Sequence, residues 1–186
     1  MLHSLSTLRT PRLLLRPFAQ SDLAALTALH AQESFWHYPF RRPWSGKETG
    51  DFLERRLNAY AESVPAVAAV VIAETNELAG WAGLAEPTFL PEILPAIEVG
   101  WRLGEQHRGF GYATEAGTAW IEYGFTVLAL EGIVSIYEPE NAASGAVMGR
   151  LGFAFDRTTT HPEQGVEVYV MSLKREDWAE ASYSRS

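Results

Sequence analysis

The segment WRLGEQHRGFGYATEAG, residues 101–117, places two glycines around one aromatic residue between a predicted strand and a predicted helix. The unpaired N–H groups and the dipole at the start of a helix stabilise an anion by about 0.3 to 1 kcal/mol per charge. Gly109 and Gly111 would let a phosphate approach the backbone, while Arg108 adds a positive charge and Gln106 a neutral donor. Glycines near helix starts are common, so these residues alone do not distinguish an anion site from an ordinary turn.

Two common phosphate-binding loops do not match this segment. The dinucleotide fingerprint G-x-G-x-x-G needs a third glycine where Thr114 stands. The segment that follows also lacks a strand ending in a ribose-binding acid, unless Glu131 takes that role. A P-loop needs G-K-S or G-K-T after the glycines, and neither is present there.

The composition predicts one globular domain of 186 residues. Hydrophobic residues make up 47% of the chain and charged residues 20%, which are ordinary values for a folded domain. The longest apolar run, residues 64–73, is about half of the roughly 20 residues that a membrane helix needs, and it contains Pro65. We therefore expect no membrane span. Charges interrupt the short apolar run in the first 18 residues and no small-residue cleavage site follows, so we expect no secretory signal, and the cytoplasm is the default location.

The net charge of -8 argues against nucleic-acid binding, which normally requires a basic face. It favours a cationic partner, although it can equally serve solubility. The absence of cysteine excludes disulfides, thiolate metal sites and a cysteine nucleophile. The five histidines lack the spacing of a metal site, so we expect no metal. His107 is predicted to lie in a solvated loop, with a place near the phosphate as the alternative.

Hydrophobic periodicity predicts an α/β domain with the order β-α-α-β-β-β-α-β-α-β-β. Capping patterns start the helices, including Ser45 with Glu48 and, later, Asn141. Hairpin connections make the middle strands antiparallel, and the later helices bring in parallel neighbours, so the sheet is mixed and not doubly wound. The predicted strands are 12–16, 66–73, 78–85, 96–103, 132–138, 152–156 and 166–173.

Three separated motifs resemble the GCN5-related N-acetyltransferases, the GNAT family. Residues 106–111 match the Q/R-x-x-G-x-G/A signature, and residues 112–116 continue it as in the branch that includes the ribosomal-protein alanine N-acetyltransferases. The other motifs are TPRLLLRPF, residues 10–18, and PENAAS, residues 139–144, which leads to a Leu-Gly-Phe sequence. The resemblance covers about residues 8–173 and leaves a short C-terminal tail.

This resemblance implies a single N-acetyltransferase domain with a mixed, mostly antiparallel sheet of about seven strands and about four helices. Strands four and five would splay apart to admit the pantetheine arm of acetyl-CoA. A bulge at Gly100 in strand four would free a backbone N–H to polarise the thioester carbonyl. The implied acetyl-CoA site comprises Trp101, Leu103, Gln106, Arg108, Gly109, Phe110, Gly111, Tyr112, Ala113, Thr114 and Asn141.

Amine acetylation requires a neutral amine, an oriented thioester and, where needed, a proton for the departing thiolate. Glu98 on strand four is the candidate base, directly or through water, although it could be a solvated or arginine-paired carboxylate. Ser144 is the candidate acid, although a serine in a first helical turn is also ordinary. Many family members place a tyrosine acid where this chain has Met148. Asn141 can cap its helix and bond the pantetheine as well.

The aromatic segment from Phe35 to Trp44 lies where the early helices of this fold flank the acceptor groove. Phe35, Trp36 and Tyr38 are therefore candidate acceptor-binding residues, but they could equally pack in the core or against a second subunit of a homodimer. We expect a protein or peptide amino terminus as the acceptor, because its pKa of about 7.7 to 8.0 asks less of a base than lysine does. A small amine such as a polyamine, amino acid or aminoglycoside is one alternative, and a non-catalytic acyl-CoA-binding module is another.

Overall fold

A computed structural model of the protein describes residues 7–39, 41–61 and 67–183. In these ranges eight strands form one sheet with the order β1-β2-β3-β4-β5-β6-β8-β7. The strands are β1 Leu8–Arg9, β2 Leu13–Arg16, β3 Val67–Ile72, β4 Leu78–Ala85, β5 Glu98–Leu103, β6 Gly132–Tyr137, β7 Ala154–Thr160 and β8 Glu167–Lys174. The α-helices are α1 Leu23–His30, α2 Gly46–Ala61, α3 Tyr112–Thr126, α4 Ala142–Leu151 and α5 Arg175–Tyr183.

The predicted mixed sheet is confirmed, with small differences at its ends. Strand β1 and helix α5 were not predicted. Strand β7 begins later than expected because Gly152, with φ of 89°, forms the left-handed cap that ends α4. The sequence also predicts that the second helix ends at about Glu62. That position and the expected strand start at Ala66 lie outside the described residues. None of the helices in the described ranges has the length and apolarity needed to span a bilayer.

The sheet splits between β5 and β6, as the resemblance implied. These two strands are parallel and share a single register pair, Glu98 with Val134, whereas the other neighbouring strands are antiparallel. The Val134 N–H donates to the Ile97 carbonyl at 2.9 Å, and the Ser135 hydroxyl reaches the Val99 carbonyl at 2.9 Å. Beyond these contacts the two strands separate, and we call this gap the sheet split.

Each face of the sheet carries its own hydrophobic core. Leu26 of α1 and Leu53 of α2 are buried against one face, which we call the α1/α2 face. Trp120 and Ile121 of α3 are buried against the other, together with Met148 of α4. Two helical layers therefore enclose the sheet, and the split opens between them.

Local side-chain bonds fix the entries of the first two helices. Ser45 and Glu48 form the predicted capping box, in which the Ser45 N–H donates to the Glu48 carboxylate at 2.8 Å. The buried carboxylate of Asp22 accepts two hydrogen bonds from Arg16, at 2.7 and 2.8 Å, and one from the Ala19 N–H. Burial alone would raise the pKa of Asp22, but Arg16 and Ala19 outweigh burial and hold it below its usual range.

Candidate active site

The glycine loop, residues 106–111, ends at the start of α3 with a geometry suited to an anion. Gly109 and Gly111 both have φ of 82°, a left-handed conformation that favours glycine. The first helical bond runs from the Glu115 N–H to the Gly111 carbonyl, so the N–H groups of residues 112–114 have no partner within the helix. No described atom lies within 4 Å of where a Gly109 side chain would begin, so the backbone is open to a phosphate.

A side-chain network ties this loop to the N-terminal motif. The Arg12 side chain donates to the Glu115 carboxylate at 2.7 Å and to the Phe110 carbonyl at 2.9 Å. The Thr10 hydroxyl donates to the same carboxylate at 2.6 Å. Burial would raise the pKa of Glu115, but the bonds from Thr10 and Arg12 lower it. Two motifs that lie far apart in the sequence therefore hold the start of α3 together.

Arg108 and His107 have roles that their sequence positions do not reveal. The Arg108 guanidinium donates to the carbonyls of Leu103 and Ser34, at 3.1 and 2.7 Å, and so braces the loop against the α1/α2 face. The expectation of a solvated His107 is wrong, because its side chain is buried and lies 3.5 Å from Glu77.

An open depression lies beside the glycine loop. It is lined by Gln32, Glu33, Ser34, Glu105 and Gln106. Its two carboxylates disfavour a phosphate, so the helix start and not this depression is the candidate anion site.

The expected bulge at Gly100 is absent. Strands β4 and β5 pair without a register shift, and Gly100 lies opposite Gly83. Peptide groups alternate between neighbouring strands, and those of Ile97 and Val99 face β6. The peptide group of Trp101 therefore faces the sheet split, and the separation of the strands, not a bulge, makes a backbone N–H available there.

Glu98 lies where the strands begin to separate and is half-buried on the α1/α2 face. Burial raises its pKa to about 8, while the Ile136 backbone N–H and Arg102 oppose this rise. Glu98, Gly100 and Arg102 lie on the same face, and no described atom is within 4 Å of where a Gly100 side chain would begin. Gly100 therefore leaves a hollow next to a carboxylate that can exchange a proton near neutral pH.

Arg102 closes the far side of this hollow, and it was not among the predicted site residues. Its guanidinium donates to the Phe35 carbonyl at 2.6 Å and lies 4.6 Å from the Trp36 ring centroid. Burial lowers its pKa to about 9, with Arg108 adding to this effect and Glu98 opposing it. The sequence did contain a signal for this residue. Arg102 is two positions from Gly100, and the alternation of a strand places it on the same side as Glu98.

The three aromatic candidates separate into two groups. Phe35 and Trp36 are each only 1% exposed and pack with His30 and Arg102, so they belong to the core and do not line an open groove. This is the packing alternative stated for the aromatic segment. Tyr38 is half-buried, with the Arg41 guanidinium 5.5 Å from its ring centroid, and it remains a candidate acceptor contact.

His30 adds no charge to this region near neutral pH. Burial and, to a smaller extent, the neighbouring Arg102 lower its pKa to about 4. Its Nδ1 lies 3.1 Å from the Thr49 hydroxyl. Among the described residues, no group of three or more His, Cys, Asp or Glu side chains is arranged to hold a metal ion.

Helix α4 begins on the β6 side of the split. Asn141 is its cap, as predicted, and accepts a hydrogen bond from the Ser144 N–H at 3.2 Å. Gly145 leaves space for the Tyr137 ring, since a side chain there would begin 2.9 Å from that ring. Met148, at the position of the usual tyrosine acid, is 1% exposed and belongs to the core.

The model of the acetyltransferase (GNAT) domain matches residues 12–154, which span the glycine loop, the split and α4. The chain belongs to the GNAT family of acetyltransferases. A GNAT relative, the uncharacterized N-acetyltransferase p20 of Bacillus licheniformis, is 27% identical over 94% of this chain and 99% of its own length. The spermidine N(1)-acetyltransferase of Escherichia coli K12 is 26% identical over 79% of this chain and 75% of its own length.

Solved GNAT structures share this architecture. The acetyltransferase from Agrobacterium tumefaciens is 30% identical, with a TM-score of 0.74, over 91% of this chain and 96% of its own. RimL, described as a ribosomal L7/L12 α-N-protein acetyltransferase in complex with coenzyme A, has a TM-score of 0.74 at 17% identity. That match covers 91% of this chain and 98% of RimL, and at this identity it shows the fold alone.

Proposed function

We propose that this GNAT protein transfers the acetyl group of acetyl-CoA to a primary amine, and that the acceptor is a protein or peptide amino terminus. The observation that carries the proposal is the single β5/β6 pair, which places Glu98 at the base of a split in the sheet. Strand β5 leads from that split directly into the glycine loop, so the proposed sites for a donor's phosphates and for its reactive end would adjoin each other.

The donor would lie along β5 and the glycine loop. The N–H groups at the start of α3 would hold the pyrophosphate, and the Trp101 peptide group would contact the arm that enters the split. Asn141, at the start of α4 on the β6 side of the split, would form a hydrogen bond with the pantetheine arm of the donor. The remaining proposed donor contacts are Leu103, Gln106, Arg108, Gly109, Phe110, Gly111, Tyr112, Ala113 and Thr114.

The acceptor amine would enter the hollow over Gly100 and attack the thioester carbonyl. Glu98 would take the proton that the amine loses, because a base is most effective when its pKa lies near the working pH. A pKa of about 8 suits an α-amino group, whose own pKa is about 7.7 to 8.0. Ser144 would supply a proton to the departing thiolate, and Ser144→Ala should then lower kcat at saturating donor and acceptor.

Two acceptor classes have support among relatives. RimL, which shares this fold, is named as an α-N-protein acetyltransferase, so the fold is compatible with an amino-terminal acceptor. The similarity to spermidine N(1)-acetyltransferase favours a polyamine as the second candidate. The fold and donor site serve both classes, so acceptors must be compared directly.

Thiol release from acetyl-CoA, measured with a panel of short peptides, polyamines, amino acids and aminoglycosides, tests the proposal. Because the chain has no cysteine, a thiol reagent reports only released coenzyme A. Release that saturates with a peptide supports the proposed acceptor, and release with spermidine alone supports the second candidate. Tight coenzyme A binding without release on any acceptor would instead indicate a non-catalytic module.

A further inference from the structure

Glu138 follows β6 and places a buried carboxylate on the α1/α2 face. It lies four residues beyond Val134, the partner of Glu98, so alternation directs its side chain to the same face as Glu98. Its ion pair with Arg41, from the segment between α1 and α2, agrees with this direction. Arg102 likewise lies four residues beyond Glu98 on β5. The β6 side of the split therefore carries the Glu138 carboxylate, and the β5 side carries the Arg102 guanidinium at the matching position.

One oxygen of this carboxylate is unpaired. Oε2 of Glu138 pairs with Arg41, whereas Oε1 is buried and has no hydrogen-bond partner in the part of the chain that the structure describes. The residue is only 3% exposed. Buried polar atoms are nearly always hydrogen-bonded, and an unpaired carboxylate oxygen destabilises the fold. Oε1 is therefore ready to accept a hydrogen bond from an N–H group that reaches it.

The charges around Glu138 leave Arg41 as an exchangeable partner. Burial raises the pKa of Glu138; Arg41 opposes this, Glu140 adds to it, and His161 and His37 oppose it. The Arg41 side chain is 48% exposed, so water can solvate its guanidinium when another cation takes over the buried Glu138 carboxylate. A second cation can therefore bind Glu138 beside Arg41 or in its place.

A backbone turn constrains the point from which the Glu138 side chain extends. Residues 138–141 form a turn in which the Asn141 N–H donates to the Glu138 carbonyl at 2.8 Å. Pro139 occupies the second position of this turn, where its restricted φ is favourable. A group held in place before binding loses less conformational entropy when the ligand arrives.

Building on the acetyl-transfer function above, we propose that Glu138 binds a second cationic group of the acceptor and so selects which amines are acetylated. The reacting nitrogen would lie at Glu98, and the second cation would reach Oε1 of Glu138. Glu98 lies at the level of Val134, and Glu138 lies four residues further along the chain. At the rise of an extended strand, these two levels are separated by about 13 Å. The acceptor class that fits is an amine with a second positive charge at a comparable distance, such as a peptide with lysine near its amino terminus, or a polyamine.

Steady-state thiol release with paired acceptors tests this specificity. The first pair is a peptide with alanine first and lysine third, and the same peptide with glutamine third. The second pair is spermidine and a simple alkyl monoamine. Glu138→Gln should raise the KM of the dicationic acceptors about tenfold, while the other acceptors change by less than about twofold. If Glu138→Gln raises KM for the lysine peptide but not for the glutamine peptide, the site accepts a peptide lysine. If it raises KM for spermidine but not for the monoamine, the site accepts a polyamine.

Arg41→Gln is the matched control, because it breaks the same ion pair but keeps the carboxylate. With Arg41 removed as a competitor, the KM of the lysine peptide or spermidine should fall. If the pair only holds the loop, both variants should instead raise KM for all acceptors alike. Glu140→Gln, on the exposed side of the same turn, should leave the selectivity unchanged, and melting curves confirm that each variant is folded.

A binding measurement separates this proposal from the proposed function. If no acceptor releases thiol, acetyl transfer fails as a function, and calorimetry with spermidine and the two peptides on coenzyme-A-saturated protein still tests Glu138. Weaker binding of the dicationic probes to Glu138→Gln alone supports the recognition site. Equal affinity of parent and variant, or equal KM changes within each acceptor pair, would overturn it.

Discussion

Replacing Glu98 with glutamine tests the proposed base most directly. The variant keeps the size of the side chain but cannot accept a proton. Loss of a general base typically lowers kcat by about 100-fold to 10,000-fold. Because the pKa of Glu98 is about 8, about one tenth of the parent molecules carry the ionised base at pH 7 and about nine tenths at pH 9. The titration of Glu98 should therefore contribute a rise of about tenfold to the parent kcat over this range.

The acceptor amine titrates in the same range, so the parent profile alone does not identify the base. Glu98→Gln retains the amine titration and loses only that of the carboxylate. The ratio of parent to variant kcat, measured by thiol release at saturating donor and acceptor from pH 6 to pH 10, therefore isolates Glu98. We expect this ratio to rise through pH 8 and level off above it. A ratio near one, or one that does not change with pH, would refute the role of Glu98 as base.

Three further predictions concern stability and the donor site. The raised pKa of Glu98 means that the folded state keeps a proton that the unfolded chain releases, so the free energy of unfolding should fall from about pH 4.5 to pH 8. Between pH 5 and pH 8, the melting temperature should fall less for Glu98→Gln than for the parent. Equal falls in melting temperature would contradict this prediction. Gly111→Val should weaken coenzyme A binding about tenfold or more by calorimetry. Gly165→Val, at another glycine with positive φ, is the control: it should bear similar strain and keep its affinity. Asp22→Ala should lower the free energy of unfolding by about 3 kcal/mol at pH 7 in urea, because it leaves Arg16 unpaired. This loss of stability should shrink in acid. Because the pKa of Asp22 is lower in the folded state than in the unfolded chain, its ionised carboxylate stabilises the fold fully only at a pH above the unfolded pKa. A loss of stability that does not change with pH would count against the ion pair.

Features fixed by neighbouring residues could be predicted from the sequence. The Ser45 and Glu48 capping box and the Asn141 cap depend on contacts only three residues apart, and both were confirmed. The glycine loop before α3 also follows from local backbone requirements, as the positive φ of Gly109 and Gly111 shows.

Features that depend on contacts between distant parts of the chain could not be predicted from the sequence. Phe35 is buried in a hydrophobic cluster, and a strand arginine 67 residues further along the chain binds its carbonyl oxygen. No local pattern contains these contacts. His107 is buried by packing that brings it near Glu77, which directly precedes β4. The expected bulge at Gly100 is wrong because the glycine provides open space over a regular strand, and a sequence does not distinguish these two uses.

The segment between α1 and α2 is anchored on both arms of the sheet split. Phe35 is held by Arg102 on the β5 side, and Arg41 is held by Glu138 on the β6 side. A bound molecule that changed the width of the split would pull these two anchors in opposite directions. Contacts on both sides of the split would therefore respond together to its width. Such coupling would appear as an amine affinity that changes when the donor is bound, and equally as a donor affinity that changes when the amine is bound.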